Sequence, residues 1–191
     1  LDRNGNDVWE GCTVDICRGP YGKAGDQPIV GAWKTGTLTD TVGFFRDSKG
    51  SVLWRLDVNG NGSIDTCTVD GCSTLRMTKS RAVAGDWTGK GVDNLGVFEP
   101  STGKWKLDRN GNKKLDKCTI DSCLGPFGLG TDLPVAGDWD GSGTARIGVF
   151  DPTTGLWELD LNGNGVFDGC QVDRCSGPFG QKGDVPVVGN W

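Results

Sequence analysis

The chain has 191 residues, a formal net charge of −5 and a hydrophobic content of 35%. This length is sufficient for a buried core, and an acidic balance without a basic block or stripe argues against partners such as nucleic acid or an anionic membrane surface. No apolar run approaches the ~20 residues of a membrane-spanning helix. The 33 glycines and eight tryptophans favour short strands joined by tight turns, and hence an all-β fold.

The same order of segments recurs about every 52 residues, which indicates a repeat architecture. Each repeat begins with an oxygen-rich loop that ends in a cysteine pair. The four copies, named loop 1 to loop 4, are Leu1–Cys17, Leu56–Cys72, Leu107–Cys123 and Leu159–Cys175. We therefore treat residues 1–191 as a single repeat domain with repeats at 1–55, 56–106, 107–158 and, incomplete, 159–191.

Three short strands are predicted after each loop. In the third repeat, Val135–Trp139 and Ile147–Phe150 are apolar runs bounded by turn residues, as buried strands are. The segment 152–155 then places proline and glycine where a hairpin must turn, and Leu156–Leu159 leads into the next loop. The last copy of the first strand is predicted at Val187–Trp191.

The cysteines form four Cys-x4-Cys pairs, and the chain has no histidine. Zinc sites use closer spacing or imidazole ligands, so disulfides in an oxidising, extracellular compartment are the better interpretation and zinc is the weaker alternative. Pairing within each repeat is the shortest route, although eight cysteines allow about 105 connectivities. The favoured pairs are Cys12 with Cys17, Cys67 with Cys72, Cys118 with Cys123, and Cys170 with Cys175.

The spacing of oxygen-bearing residues in the loops predicts calcium binding. Calcium takes six to eight oxygen ligands, which an EF-hand-like loop supplies from side chains at positions 1, 3, 5 and 9 and from the carbonyl at position 7. Counted in this way, up to four Ca²⁺ sites are predicted. Their ligands are Asp2, Asn4, Asn6, the carbonyl of Val8 and Glu10 in loop 1; Asp57, Asn59, Asn61, the carbonyl of Ser63 and Asp65 in loop 2; Asp108, Asn110, Asn112, the carbonyl of Lys114 and Asp116 in loop 3; and Asp160, Asn162, Asn164, the carbonyl of Val166 and Asp168 in loop 4.

Position 6 ranks these sites, because the chain turns sharply there and glycine is preferred. Gly62 and Gly165 meet that need, whereas Asp7 and Lys113 do not. We therefore expect loops 2 and 4 to bind best, and loop 3, with its extra lysines, to bind most weakly. An aspartate between the cysteines is a further candidate ligand in each loop: Asp15, Asp70, Asp121 and Asp173. The alternative is that these residues build Asx turns and bind nothing.

The stretch from Thr131 to Trp157 reads Thr-Asp-x-Pro-Val-x-Gly-Asp-Trp-Asp-Gly-x-Gly-x-x-x-Ile-Gly-Val-Phe-x-Pro-x-Thr-Gly-x-Trp. It resembles the FG-GAP repeats of integrin-α-type β-propellers and their bacterial secreted relatives. The resemblance implies propeller blades of about four strands each, here about four blades with one incomplete. A small ring with a thin blade, an open array completed by another copy, and a fragment of a longer polypeptide are all compatible with this count. Asp138–Gly143 resembles the family's own calcium loop, but Arg146 stands at its ninth position, so we predict no ion there.

Function is predicted from these loops and from the absence of catalytic groups. Without histidine or a nucleophile beside a base, catalysis has little support, and we expect no enzyme. The preferred hypothesis is a secreted, calcium-stabilised structural or adhesive protein that self-associates head-to-tail into a filament through its incomplete repeat. The alternative is a calcium-dependent lectin-like or integrin-like module that binds a glycan or cell-surface ligand; a calcium-dependent hydrolase is a third hypothesis. Tryptophans can stack on sugars, but their regular place in strands favours core packing.

Overall fold

The structure is a computed structural model that describes residues 1–17, 19–37, 39–48, 50–75, 77 and 79–189. These residues form twelve β-strands and no helix, which confirms the all-β prediction. The strands are β1 (Gln27–Gly31), β2 (Thr41–Ser48), β3 (Ser51–Leu56), β4 (Gly71–Leu75), β5 (Arg81–Gly85), β6 (Asn94–Glu99), β7 (Lys104–Leu107), β8 (Ser122–Leu124), β9 (Leu133–Gly137), β10 (Arg146–Asp151), β11 (Leu156–Leu159) and β12 (Arg174–Ser176).

The strands form three four-stranded antiparallel sheets, each made of consecutive strands. Sheet 1 contains β1 to β4, sheet 2 contains β5 to β8, and sheet 3 contains β9 to β12. Loops 2, 3 and 4 each lie between the third and fourth strands of one sheet. Each sheet therefore crosses a boundary of the sequence repeats, because its fourth strand follows the loop that begins the next repeat. Closure of these sheets into a propeller stays a prediction.

Sheet 2 is packed between the other two sheets. Its first strand, β5, lies beside both β1 and β9. Leu95 and Val97 of β6 pack in one core cluster with Trp54 of sheet 1, whereas Phe98 packs in a second cluster with Ile147 of sheet 3. Because alternate residues of a strand point to opposite faces, β6 is buried on both sides, and this explains its nearly continuous apolar sequence.

Two residues recur together in the repeats: a tryptophan after the first strand of each sheet and a glycine in the second strand. Gly96 shows the reason. A Cβ atom on Gly96 would lie 2.9 Å from the ring of Trp87 and 2.7 Å from a methyl group of Val83. The indole Nε1 of Trp87 donates to the carbonyl of Leu95 at 3.2 Å, and Trp139 donates to Ile147 at 3.0 Å in the same way. The glycine therefore leaves the space in which the ring packs.

Core packing of the tryptophans is confirmed at four positions. Trp33, Trp54, Trp87 and Trp105 are buried, whereas Trp9 is exposed. The buried rings have no free face for stacking on a sugar.

The strand predicted from Val187 is wrong for residues 187–189, which belong to no strand; Asn190 and Trp191 lie outside the described residues. A strand needs a hydrogen-bonded neighbour, and in the described part of the chain none lies beside this segment. Val185 and Val187 are accordingly 76% and 68% exposed.

Across the described residues, the structure contains no helix with the length and apolar character needed to cross a membrane.

Candidate functional site

The aspartate at position 1 anchors the backbone of each loop. In loop 4, the two carboxylate oxygens of Asp160 accept hydrogen bonds from the backbone N–H groups of Gly163 and Gly165, both at 2.8 Å. Asp57, Asp108 and Asp2 make the corresponding bonds to the N–H group at position 6, at 2.7 Å in each case. The carboxylate at position 1 therefore fixes the backbone of the loop through N–H groups that point toward it.

Burial distinguishes three of these aspartates. Asp57, Asp108 and Asp160 are at most 1% exposed, whereas Asp2 is exposed. Burial raises the pKa of Asp108 and of Asp160 above the ordinary value, because it disfavours the charged carboxylate. A bound cation would offset that cost, so the position-1 environment fits a metal ion.

The side chains at positions 3, 5 and 9 converge in all four loops. In loop 2, one carboxylate oxygen of Asp65 accepts hydrogen bonds from the amide groups of Asn59 and Asn61, both at 2.8 Å. The matching distances are 3.0 and 2.6 Å to Asp168 in loop 4, 3.2 and 2.7 Å to Asp116 in loop 3, and 2.6 and 2.9 Å to Glu10 in loop 1. These bonds lower the pKa of Asp168, with the Asn162 amide as the largest cause.

The residue types at these positions suit calcium, because their side chains carry carboxylate and carboxamide oxygens. The amide groups at positions 3 and 5 direct N–H groups at the position-9 carboxylate, while their oxygens accept backbone N–H groups two residues further on, as in Asx turns. In loop 2 these distances are 3.0 Å for Asn59 and 2.7 Å for Asn61. Binding of calcium would require the amide groups to rotate so that their oxygens face the ion. Each loop supplies two carboxylates and two carboxamides, with a backbone carbonyl at position 7. No group of three or more histidine, cysteine, aspartate or glutamate side chains is gathered at one point in the described residues.

The aspartate between each pair of cysteines holds positions 2 and 9 of its loop together. In loop 2, Asp70 accepts the N–H group of Val58 at 3.2 Å and that of Asp65 at 2.8 Å. Asp15, Asp121 and Asp173 accept the equivalent pairs of N–H groups. In loop 1, the bonds from Glu10 and Arg3 lower the pKa of Asp15. These carboxylates thus brace the loop through hydrogen bonds to its backbone. Their role as additional metal ligands stays a prediction.

The four disulfides follow the favoured pairing: Cys12–Cys17, Cys67–Cys72, Cys118–Cys123 and Cys170–Cys175. Each encloses the bracing aspartate of its loop. The covalent bond therefore closes the same short segment that the aspartate holds by hydrogen bonds.

The backbone at position 6 agrees with the preference for glycine. Gly62 and Gly165 both have φ of 75°, in the left-handed region. Asp7 and Lys113 adopt the same conformation, with φ of 60° and 63°. A side chain costs about 1 kcal/mol or more there, so loops 1 and 3 carry backbone strain that loops 2 and 4 avoid.

The loop beginning at Asp138 already contains a cationic side chain. Asp138 accepts the N–H groups of Ser142 and Gly143 at 2.9 and 2.8 Å. The guanidinium group of Arg146 lies 2.7 Å from the carboxylate of Asp140 and also donates to the carbonyl of Leu161 at the start of loop 4. Arg146 thus supplies the positive charge near these carboxylates and links this loop to loop 4.

One contact to the calcium-type loops was not predicted from the sequence. It is made by the residue immediately before the apolar run of the second strand in each sheet. Thr41 donates to the carbonyl of Asp57 at 2.5 Å, and Arg146 contacts loop 4. The counterpart in sheet 2 is Asn94, which lies beside Gly111 of loop 3. All three residues stand immediately before the apolar run of the second strand. An alignment of the repeats could have identified this shared position.

No protein-family model, curated protein or solved structure that was compared with the chain matches it. The resemblance to FG-GAP repeats therefore stays a prediction from the motifs.

Proposed function

We propose that the protein is an extracellular, calcium-stabilised repeat protein with a structural or adhesive role and no catalytic function. The main support for the proposal is that the side chains at positions 3, 5 and 9 converge in all four loops. In each loop the aspartate at position 1 is buried or hydrogen-bonded to the backbone. Four disulfides indicate an oxidising environment outside the cytoplasm. Calcium is abundant there, which suits sites with only two or three carboxylates and an expected Kd of about 10⁻⁴ to 10⁻³ M.

In this proposal the ion would be held by the position 1, 3, 5 and 9 side chains and the position 7 carbonyl of each loop. It would supply positive charge to two carboxylates that otherwise repel each other. Because loops 2 to 4 join the third and fourth strands of a sheet, filling them would fix the outer strand of that sheet. Calcium would thus stabilise the sheets that we propose to be propeller-like blades.

Calorimetric melting in calcium and in a chelator tests this proposal. At 100 times Kd, one filled site adds about 2.7 kcal/mol to the free energy of unfolding, so a clear rise in melting temperature is expected. A melting temperature that does not respond to the chelator, together with no heat of calcium binding in a titration, would refute it.

Contacts between successive sheets suggest how copies of the chain would associate. Loop 4 packs on the outer part of sheet 2, where the ring of Phe167 lies 6.0 Å from that of Phe127 in an edge-to-face arrangement. Phe127 follows loop 3, is 1% exposed and also packs in the core cluster that contains Phe98 and Ile147. The indole of Trp105 fixes its turn by donating to the Phe127 carbonyl at 2.9 Å.

Phe179 is the counterpart of Phe127 after loop 4. Its turn is held in the same way, since Trp157 donates to the Phe179 carbonyl at 2.9 Å, but its side chain is 78% exposed. Trp9 is the counterpart of Phe167 in loop 1 and is 61% exposed. The proposal therefore includes head-to-tail association in which loop 1 of a second copy covers Phe179.

Sedimentation velocity over a range of protein concentrations tests the association. Larger species are expected for the natural chain and for Leu129→Ser, a control at another exposed apolar residue (72% exposed). They should be lost in Phe179→Ser and in Trp9→Ser. Monomers at every concentration would contradict the association, whereas the calcium measurement would be unaffected.

A further inference from the structure

A cavity of about 430 Å³ lies between sheets 1 and 2 and is lined by four basic side chains. Lys34 follows β1, Lys90 lies between β5 and β6, and Arg109 and Lys113 belong to loop 3. No aspartate or glutamate lines the cavity. In a chain with a net charge of −5, the fold thus gathers positive charge from three separated segments at one place.

These four cations have no carboxylate partner among the described residues, where the ion pairs are Arg46 with Asp26 and Arg146 with Asp140. The nearest acidic groups in sequence are directed at the backbone instead. Asp93 accepts the N–H group of Ala32 at 2.8 Å, Asp86 accepts that of Gly91 at 2.5 Å, and Asp108 accepts that of Lys113 at 2.7 Å. The cavity therefore keeps a positive field that favours an anionic ligand.

Two buried polar atoms belong to residues that line the same cavity. Asn94 is 5% exposed and Trp33 is 3% exposed, and neither Asn94 Oδ1 nor Trp33 Nε1 has a hydrogen-bond partner in the described residues. In the other two sheets, the indoles of Trp87 and Trp139 are paired with carbonyls. A buried acceptor and a buried donor without partners are costly, and a hydroxyl group both donates and accepts.

We propose that this cavity binds an acidic saccharide, that is, a sugar chain that carries sulfate or carboxylate groups. The four cations would bind the anionic groups, and Asn94 and Trp33 would pair with hydroxyl groups. The volume lies in the range of small-molecule sites. Single-stranded nucleic acid is disfavoured, because it needs exposed aromatic faces and the ring of Trp33 is buried.

This inference goes beyond the calcium-stabilised role proposed above. Lys34 and Lys90 lie outside all four calcium-type loops. A failure of calcium binding would therefore leave the saccharide measurement interpretable, and a failure of saccharide binding would leave the calcium proposal standing.

Titration calorimetry of the whole chain at fixed calcium concentration tests the site. The probes are a size-defined sulfated tetrasaccharide, a tetrasaccharide of uronic acid, a neutral tetrasaccharide of glucose, and sodium sulfate. We expect the two acidic tetrasaccharides to bind, with an affinity that falls as salt is raised, and the neutral one to bind at least about tenfold more weakly. Their relative affinities distinguish sulfate from carboxylate as the recognised group.

The variant Lys34→Gln/Lys90→Gln removes two of the four charges and should weaken binding of the acidic tetrasaccharides about tenfold. The matched control is Lys23→Gln/Lys182→Gln, which removes two exposed lysines elsewhere and should bind like the natural chain. Melting temperatures of both variants establish that they fold. Equal affinity for the neutral probe, or undiminished binding by Lys34→Gln/Lys90→Gln, would overturn the proposal. Sodium sulfate that binds as tightly as the sulfated tetrasaccharide would also overturn it, since the cavity would then recognise a bare anion.

Discussion

Replacement of Asp168 by asparagine tests the calcium site of loop 4 most directly. Asp168 is one of the two carboxylates at ligand positions 1 and 9 of the loop, and its oxygen accepts the amide groups of Asn162 at 3.0 Å and Asn164 at 2.6 Å. The substitution keeps the size of the side chain but removes a full negative charge from the predicted ligand set. Without calcium, we expect only a small change in stability, because these contacts lie at the exposed rim of the loop.

The magnitude follows from the linkage between binding and folding. At about 10 mM calcium and a Kd of about 10⁻⁴ to 10⁻³ M, one filled site contributes about 1.4 to 2.7 kcal/mol. A chain of this size shifts its melting temperature by about 2–4 °C per kcal/mol. Asp168→Asn should therefore reduce the calcium-induced rise in melting temperature by about 3–11 °C.

The assay is scanning calorimetry of the natural chain and the variant, each in calcium and in chelator. Asp140→Asn is the matched control: it makes the same charge change in the loop where the Arg146 guanidinium lies 2.7 Å from the carboxylate. We expect that control to keep the calcium response of the natural chain. If Asp168→Asn and Asp140→Asn respond to calcium equally, the assignment of loop 4 as a metal site is wrong.

Three further changes test the packing, an ion pair and loop 3. Gly96→Val should lower the free energy of unfolding by about 1–3 kcal/mol in urea, because its side chain would collide with Trp87; an unchanged midpoint would contradict the packing. The guanidinium of Arg46 holds the pKa of Asp26 below its ordinary value, so their ion pair stabilises the fold fully above about pH 4 and less as pH falls through the lower folded-state pKa. Asp26→Asn should thus cost about 1–3 kcal/mol at neutral pH, and its difference from the natural chain should shrink in acid; a pH-independent difference would argue against the pair. Lys113→Gly should tighten calcium binding in loop 3 about fivefold in a titration, since it removes both a strained φ of 63° and a nearby positive charge; equal or weaker binding would refute that account.

The parts of the fold predicted correctly from the sequence depend on short-range interactions. The apolar runs that became β6 and β10 and the hairpin turns between them and the next strands follow from residues within a few positions of one another. The cysteine pairs are five residues apart and closed as predicted. The sharp turn at position 6 was also predicted correctly. It is a local feature, because the N–H group at position 6 bonds to the aspartate five residues earlier in the same loop.

The bracing role of the aspartates between the cysteines was not predicted from the sequence. An aspartate near a metal-type loop suggests a ligand, and only the fold shows that the two oxygens of Asp70 accept the backbone N–H groups at positions 2 and 9 of loop 2. The strand predicted at Val187 failed for a related reason. The apolar character of a segment shows that it could form a strand. Whether it does so depends on a neighbouring strand to which it can hydrogen-bond, and the segment's own sequence gives no information about that neighbour.

The sequence by itself determined the repeat, the short strands, the closed cysteine pairs and the oxygen-rich loops, because each depends on contacts within one loop or hairpin. Only the tertiary structure decided that β6 is buried on both faces and that Lys34, Lys90, Arg109 and Lys113 line one cavity. These residues come from three segments that are far apart along the chain, so the sequence does not mark them as one site. Their shared positive field arises from the way one sheet packs on the next, and that packing is set by the whole core.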